Sequence, residues 1–488
     1  MRLVCGVAPF RMDEKGTIMD RRCALWAVAV CVLAGVIFSG CQSNNRPAFS
    51  SPPKEAAEGS LLLPAVEVDR PGKGPVLTDE SGLSDYLACA ALNNPSLEAA
   101  FNGWKAALER VPQVRSLPDP RFTYRYFIEE VETRVGAQRQ SFELAQTFPW
   151  FGKLELHEDA AAQAANAAKM RYEARKLALF YQVKDAYYEY YYLGRAIQIV
   201  KENRDLLTHF ESVVRTRYKV AEGSHPDVIR AQVEAGKLED RLRSLEAMRE
   251  PVVARLNSAL NRPPTAPLPQ PTKVQQDERE FTDEQLVAWL AEFNPELKAM
   301  DAEIAGSSYR IDLARKDYFP DMTVGVNYID TNASTGGRHP SDDGKDAVVG
   351  MVSVNVPIWQ DKLAAGVREA RYSHWQTVYA KNDRLNALNT ALQLALFHFH
   401  DAERKMDLYR DTLLPKAEES IKATEAAFRT GRGSFLDLID AQRILLEFDL
   451  AYERALTSRL QRLAELEMLV GRDIPQASDR QTHQGANN

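Results

Sequence analysis

The sequence predicts a mainly α-helical protein with a smaller, membrane-type β part, built from one unit used twice. Three observations predict it: an order-preserving internal repeat, two helical stretches at about 153–222 and 361–430, and four short segments that alternate apolar and polar residues. With 488 residues, 45% hydrophobic and 26% charged, the chain is excluded from the disordered and collagen-like classes. Its formal charge of −7 comes without any basic block able to neutralise a run of phosphates, so nucleic acid is excluded as a partner. The cysteines at 5, 23, 31, 41 and 89 form no CxxC pair, and no phosphate loop, nucleophile elbow or clustered His-Glu motif occurs. The sequence therefore predicts no cofactor, no metal and no enzymatic reaction.

The repeat sets the frame for each element. Asn94-Pro95 with Leu97 and Ala99 matches Asn294-Pro295 with Leu297 and Ala299. Farther on, Gly223-Ser224, Asp227, Ile229 and Ala231-Gln232 match Gly433-Ser434, Asp437, Ile439 and Ala441-Gln442. The units are expected at 79–262 and 282–473, joined by a Pro-rich linker at 263–281 and followed by a polar tail at 474–488. Each opens with a helix, at 83–117 and 282–318. A strand pair follows, at 121–130 and 138–148 in the first unit and 321–330 and 348–357 in the second. Phe122, Tyr124, Tyr126 and Ile128 alternate with polar residues, as do Met322, Val324, Val326 and Tyr328. Segments of about ten residues suit tilted strands that cross a bilayer.

Each long stretch, 153–222 and 361–430, is read as one uninterrupted helix, about 105 Å long at 1.5 Å per residue. After a Gly-Ser break a return helix follows, at 226–262 and 435–471. A return helix and an opening helix laid end to end match one long helix, so each chain should supply two long and two composite helices to a shaft. Tyr187, Tyr188, Tyr191 and Tyr192 are read as packing between shaft helices. Four strands cannot close a barrel, and an open edge cannot face lipid. The chain must therefore oligomerise, and strand arithmetic alone permits a dimer or a trimer.

At the N-terminus Arg21 and Arg22 precede the apolar run Ala24 to Phe38, which ends in Ser39-Gly40-Cys41. This resembles the lipobox of bacterial lipoproteins, with Phe38 where an aliphatic residue is usual. The resemblance implies a signal peptide over 1–40, a lipid on Cys41 and, because Gln42 rather than Asp follows, sorting to the outer membrane. Met19 is the alternative start, and residues 41–78 read as a Pro/Ser-rich tether.

The duplicated Asn-Pro-x-Leu-x-Ala, the Pro149-Trp150-Phe151-Gly152-Lys153 segment, Asn355-Val356-Pro357-Ile358-Trp359 and the stretch Arg429 to Arg443 resemble the TolC-type outer-membrane factors. Gln146 to Gly152 looks closest to the branch serving resistance-nodulation-division pumps, metal exporters in particular. The resemblance implies a homotrimer in which four strands per chain form a 12-strand barrel above an α-helical coiled-coil tunnel. Its implied function is passive export from an inner-membrane pump and a periplasmic adaptor. The turns Val220-Ala221-Glu222-Gly223 and Thr430-Gly431-Arg432-Gly433 would be the tips that meet the adaptor, with Ala221 where glycine is common. Asp437 and Asp440 would line a pore constriction, with Asp227 and Arg230 as first-unit counterparts and an Asp440–Arg230 pair holding it closed. A competing role is capping, since Ser224-x-x-Asp227 and Ser434-x-x-Asp437 both read as capping boxes. The rival class is a periplasmic coiled-coil adaptor or scaffold lipoprotein, which would need a single helical hairpin flanked by β-domains. His398 and His400, two apart on a helix, cannot face one metal.

Overall fold

The computed structural model describes residues 75–221, 223–274, 279–334 and 341–475. The signal, Cys41, most of the tether, Glu222 and most of the polar tail lie outside the described residues.

Each unit opens with two helices rather than the one expected: α1 (Leu83–Asn93) and α2 (Pro95–Arg115) in the first, with their counterparts Asp283–Phe293 and Pro295–Lys316 in the second. The break falls at the repeated Asn-Pro. Asn94 is extended, and its Oδ1 accepts from the N–H groups of Ser96 at 3.0 Å and Leu97 at 3.2 Å. Asn294 does the same for Glu296 at 2.9 Å and Leu297 at 3.1 Å. The proline at the first helical position has no N–H to satisfy. The amide of each asparagine faces the other way, Asn94 donating to the carbonyl of Ala259 at 3.1 Å and Asn294 to that of Leu469 at 2.8 Å. Those carbonyls lie at the ends of the return helices, where no intrahelical donor remains. The repeated asparagine thus splices the opening and return helices of its own unit end to end.

After α2 come β1 (Arg121–Thr133), β2 (Gly136–Phe148) and α3 (Lys153–Lys219), a helix of 67 residues. The first return helix is split into α4 (His225–Ala247) and α5 (Arg249–Ala259). Pro251 explains the split, because it cannot donate to the carbonyl of Ala247 and its ring crowds it. The second unit runs α6 (Asp283–Phe293), α7 (Pro295–Lys316), β3 (Met322–Thr331), β4 (Ala347–Val354) and α8 (Gln360–Leu408). Its long helix is not uninterrupted: α8 passes through a π turn at Tyr409–Leu413 into α9 (Leu414–Arg429). Pro415, with no donor for the carbonyl of Asp411, is the cause. The return helix α10 (Phe435–Val470) has Gln461 where α5 has Pro251, and is continuous.

The strands form one antiparallel sheet in the order β1-β2-β3-β4. Register places Tyr124, Phe142, Tyr328 and Val348 in one row and Phe122, Leu144 and Val326 in the next. Strand periodicity puts Val324 and Val352 on the same face. The opposite face carries Arg125 paired with Glu143 at 2.7 Å, and Thr147 bonded to Thr323 at 2.9 Å. β1 and β2 extend past the expected bounds to a turn at Gly136, whose φ of 123° and closeness to the Asn332 carbonyl leave no room for a side chain. β4 ends at Val354, so Val356 lies beyond the sheet.

The strands join the same ends of α2, α3, α7 and α8, and the helices pack along α3, which touches α2 and α7 near the sheet and α4 and α10 beyond. Packing is a series of clusters along the helices rather than one core. One gathers Tyr86, Leu97, Tyr187, Tyr190, Leu256 and Leu260 around the first splice. Another gathers Leu290, Leu297, Leu396, Leu466 and Val470 around the second. Phe210, Val214, Phe428, Phe435 and Leu438 form a third near the turns. Tyr187 and Tyr191 of the tyrosine stripe are buried, and so is Tyr190, which the stripe omitted. Cys89 is a buried free thiol.

Candidate functional site: the helical tips and the open sheet

The α3–α4 and α9–α10 turns are built alike. Tyr218 lies against His225 with ring centroids 5.4 Å apart, and at the repeated positions Phe428 lies against Phe435 at 5.6 Å. Each turn needs a left-handed residue. Gly431 supplies it at φ 73°, but in the first turn Ala221 is forced to φ 62°. A side chain there costs roughly 1 kcal/mol or more against glycine. Val220 and Thr430 cap the preceding helices. Gly223 and Gly433 sit so close to the backbone of Tyr218 and Phe428 that a Cβ would meet it at 2.9 and 3.1 Å. Arg432 donates its N–H to the carbonyl of Ala427 at 2.9 Å.

The two expected capping boxes differ. Ser434 accepts from the N–H of Leu436 at 2.9 Å while Asp437 accepts from the N–H of Ser434 at 3.4 Å, so the second box forms. Ser224 makes no such bond. The position matching Leu436 is Pro226, which has no N–H to donate. Asp227 pairs instead with Arg230 at 3.9 Å.

Asp440 bonds Arg443 at 3.2 Å, so within one chain the expected Asp440–Arg230 pair is replaced by a partner on the same helix for each residue. Arg443 then reaches across to Glu234 of α4 at 3.1 Å. That bond, with Lys237 adding to it, holds the Glu234 carboxyl below its usual range. Beneath lies a buried amide pair, Gln442 donating to Asn203 of α3 at 3.1 Å. Farther along α10, burial and then repulsion from Glu418, Glu202 and Glu453 push Asp449 up to about 6. Glu453 is buried and receives Arg195 at 2.8 Å and the Tyr191 hydroxyl at 3.2 Å. Burial and Glu453 together push Tyr191 up to about 12. His400 faces Asp283 at 3.2 Å. Among the described residues no group of three or more His, Cys, Asp or Glu is arranged to hold a metal ion.

At the other end, Trp150 stacks on Phe319 at 5.2 Å, the backbone N–H of Trp150 donates to Asp321 at 2.8 Å, and Lys153 reaches the same carboxylate at 3.0 Å. The Pro149 to Lys153 segment thereby ties the exit of β2 to the entry of β3. Above it Ile128 is 93% exposed and Val352 70%, so among the described residues the apolar sheet face meets no other part of the chain. Among the described residues one edge each of β1 and β4 is unpaired. Among the described residues no helix is long and apolar enough to cross a membrane.

Sequence reasoning missed the polar ties between the hairpins: Arg217, Arg443 to Glu234, and Asn203 to Gln442. The repeat itself held one signal, since Arg217 corresponds to Ala427 and breaks the symmetry.

A sheet with an apolar exposed face set on a duplicated bundle of very long helices defines a class of outer-membrane efflux proteins. The sequence model of the outer membrane efflux protein family matches residues 87–262 and 287–472, and the chain belongs to that family. It is similar to the cobalt-zinc-cadmium resistance protein CzcC of Cupriavidus metallidurans, 23% identical over 445 residues that cover 87% of this chain and 97% of that one. Among solved structures it resembles the outer membrane protein VceC of Vibrio cholerae, with a TM-score of 0.65 and 17% identity over 80% of this chain and 97% of that one. It also resembles CusC, described for transmembrane channel formation, with a TM-score of 0.68 and 14% identity over 83% and 98%.

Proposed function

We propose that three copies of this chain form the outer-membrane duct of a tripartite efflux system and conduct substrates passively from a periplasmic adaptor and an inner-membrane pump. The observation that carries the proposal is the sheet: four strands with an apolar exposed face and two unpaired edges, on a chain of the efflux family. Such a sheet is unsatisfied in lipid until its edges are paired by other copies. Three copies give twelve strands, with Arg125, Glu143 and Thr323 facing a wet interior and Phe122, Tyr124 and Val326 facing lipid. Cys41 carries the lipid anchor in this reading, and the outer membrane is the site of action. Val220 to Gly223 and Thr430 to Gly433 are the adaptor contacts.

Asp437 and Asp440 lie one turn apart on α10, and threefold symmetry would repeat them as carboxylate rings that favour cations. The Ser434 box does not remove Asp437 from that role, because the N–H of Ser434 engages a single oxygen of the carboxylate, Oδ2. CzcC, named for cobalt, zinc and cadmium resistance, makes these cations the first cargo to test.

The mature protein in planar lipid bilayers tests this directly. Cation-selective conductance steps are expected, and Asp440→Ala should raise conductance and weaken block by divalent cations. Absence of steps from the unaltered protein would overturn the channel. Unchanged values in the variant would remove Asp440 from the constriction.

A further inference from the structure

Between α8 and α10, next to the π turn, lies a cavity of about 330 Å³, within the range of small-molecule sites. Three small side chains hollow it out: Ala402 of α8, and Ala451 and Ala455 of α10. Its lining holds three cations, Lys405, Arg454 and Arg462, against one carboxylate, Asp401. That carboxylate is already shared by Lys405 at 2.7 Å and Arg404 at 2.6 Å. Arg454 is held from outside the cavity: its guanidinium lies 3.5 Å from the centroid of the Tyr192 ring, and both terminal nitrogens reach Glu189, at 2.8 and 3.1 Å. Arg462 gives one nitrogen to Glu465 at 2.5 Å. A guanidinium has five N–H donors, so these pairs leave donors over. His398, Tyr409 and Ser458 also line the cavity, and their side chains make no hydrogen bond among the described residues.

The repeat sets this cavity apart from its first-unit counterpart. The buried positions Leu179, Val183, Ala186, Tyr187 and Tyr190 of α3 recur in α8 as Leu388, Leu392, Ala395, Leu396 and Phe399, and the contact of Arg249 with Tyr190 recurs as Arg459 over Phe399. In that register Ala402 and Ala455 stand where the first unit has Leu193, which is buried, and Leu245, which packs against a buried cluster. Lys405, Arg454 and Arg462 stand where it has Ala196, Ser244 and Val252. The place that leucines fill in one copy of the unit is hollow and cationic in the other. Helix packing alone favours the leucines, since unfilled space forfeits contact energy. We propose that this cavity binds a small oxyanion, a carboxylate or phosphate group held by Arg454, Arg462 and Lys405 with Ser458 as a neutral donor. The bound group lies between α8 and α10, and through the Arg454–Glu189 pair it braces both against α3. The site does not depend on the channel reading.

The test is isothermal titration calorimetry of the full mature chain in detergent with inorganic phosphate and, separately, with succinate, both at constant ionic strength against a chloride control. Saturable binding of at least one probe is expected, with a melting temperature that rises with its concentration. The probe bound more tightly tells phosphate from carboxylate. Ala455→Leu, which copies the first unit, should abolish binding while keeping every charged residue of the lining. Arg462→Gln should weaken it about tenfold or more, the loss of one charge-assisted bond. Should Ala455→Leu fail to assemble by native electrophoresis, Ala402→Leu carries the same expectation. Phosphate and succinate heats equal to those of chloride would overturn the site, as would binding that the leucine and Arg462→Gln variants leave unchanged.

Discussion

Ala221 shows how a repeat read residue by residue becomes an energetic statement. It stands where the second unit has Gly431, and both positions are left-handed. Ala221→Gly should therefore raise stability by about 0.5–1 kcal/mol, the relief of strain exceeding the added freedom of the unfolded chain. A fall in the denaturation midpoint would contradict this. Asp449 gives a pH-dependent expectation. The folded group keeps its proton to about 6, whereas an unfolded aspartate releases it near 3.9. Its contribution to stability is thus complete below about pH 4 and is lost as pH rises through about 6. The shift corresponds to about 3 kcal/mol, which solvent around this half-buried carboxyl reduces to roughly 1 kcal/mol. Asp449→Asn should stabilise the protein by about that amount at pH 7.5 and leave it unchanged at pH 4. Equal effects at both pH values, followed by thermal unfolding, would sink this account. Neither Asp449 nor Arg217 stood out in the sequence. The carboxylates around Asp449 come from three helices, and the partner of Arg217 is a backbone carbonyl 211 positions away.

At the scale of the element, the repeated Asn-Pro does more than the helix periodicity around it. Pattern reading ran 83–117 and 282–318 as single helices because apolar spacing persists across Asn94 and Asn294. What it missed is that asparagine offers an acceptor to one helix and a donor to another. Asn294→Ala should cost about 2–4 kcal/mol, adding a lost cap to an unpaired buried carbonyl at Leu469. Asn294→Asp keeps the cap and loses the donor, and should fall between the two. Equal melting temperatures for all three proteins would show that the splice contributes nothing. The other breaks were legible in principle, since Pro251 and Pro415 each lack a donor at a fixed spacing. The π turn was not, because the sequence does not say whether a helix kinks or widens to absorb a proline. The alternation of the strands was plain, but the end of β4 at Val354 was not, since Val356 continues the same alternation.

For the whole molecule, the duplicated unit and the strand length were legible because they are set by order and period, which survive any change of contact partner. The number of copies was not, because eight and twelve strands satisfy closure equally and no described residue of the chain pairs with the outer edges of β1 and β4. The two faces of the sheet make separate predictions. Val326→Arg places a charge on the apolar face and should cost roughly 2–4 kcal/mol if that face lies at mid-bilayer. Ser353→Arg, on the polar face, should insert normally. Recovery of heat-resistant oligomer from outer membranes measures the difference, and equal recovery would contradict the assignment of faces. The central claim, a duct closed by several copies of this chain, is tested most directly by electron microscopy of the mature protein purified in detergent. The account predicts threefold particles with a shaft of about 100 Å ending in a detergent-belted barrel. Monomers, or twofold particles without such a belt, would contradict it.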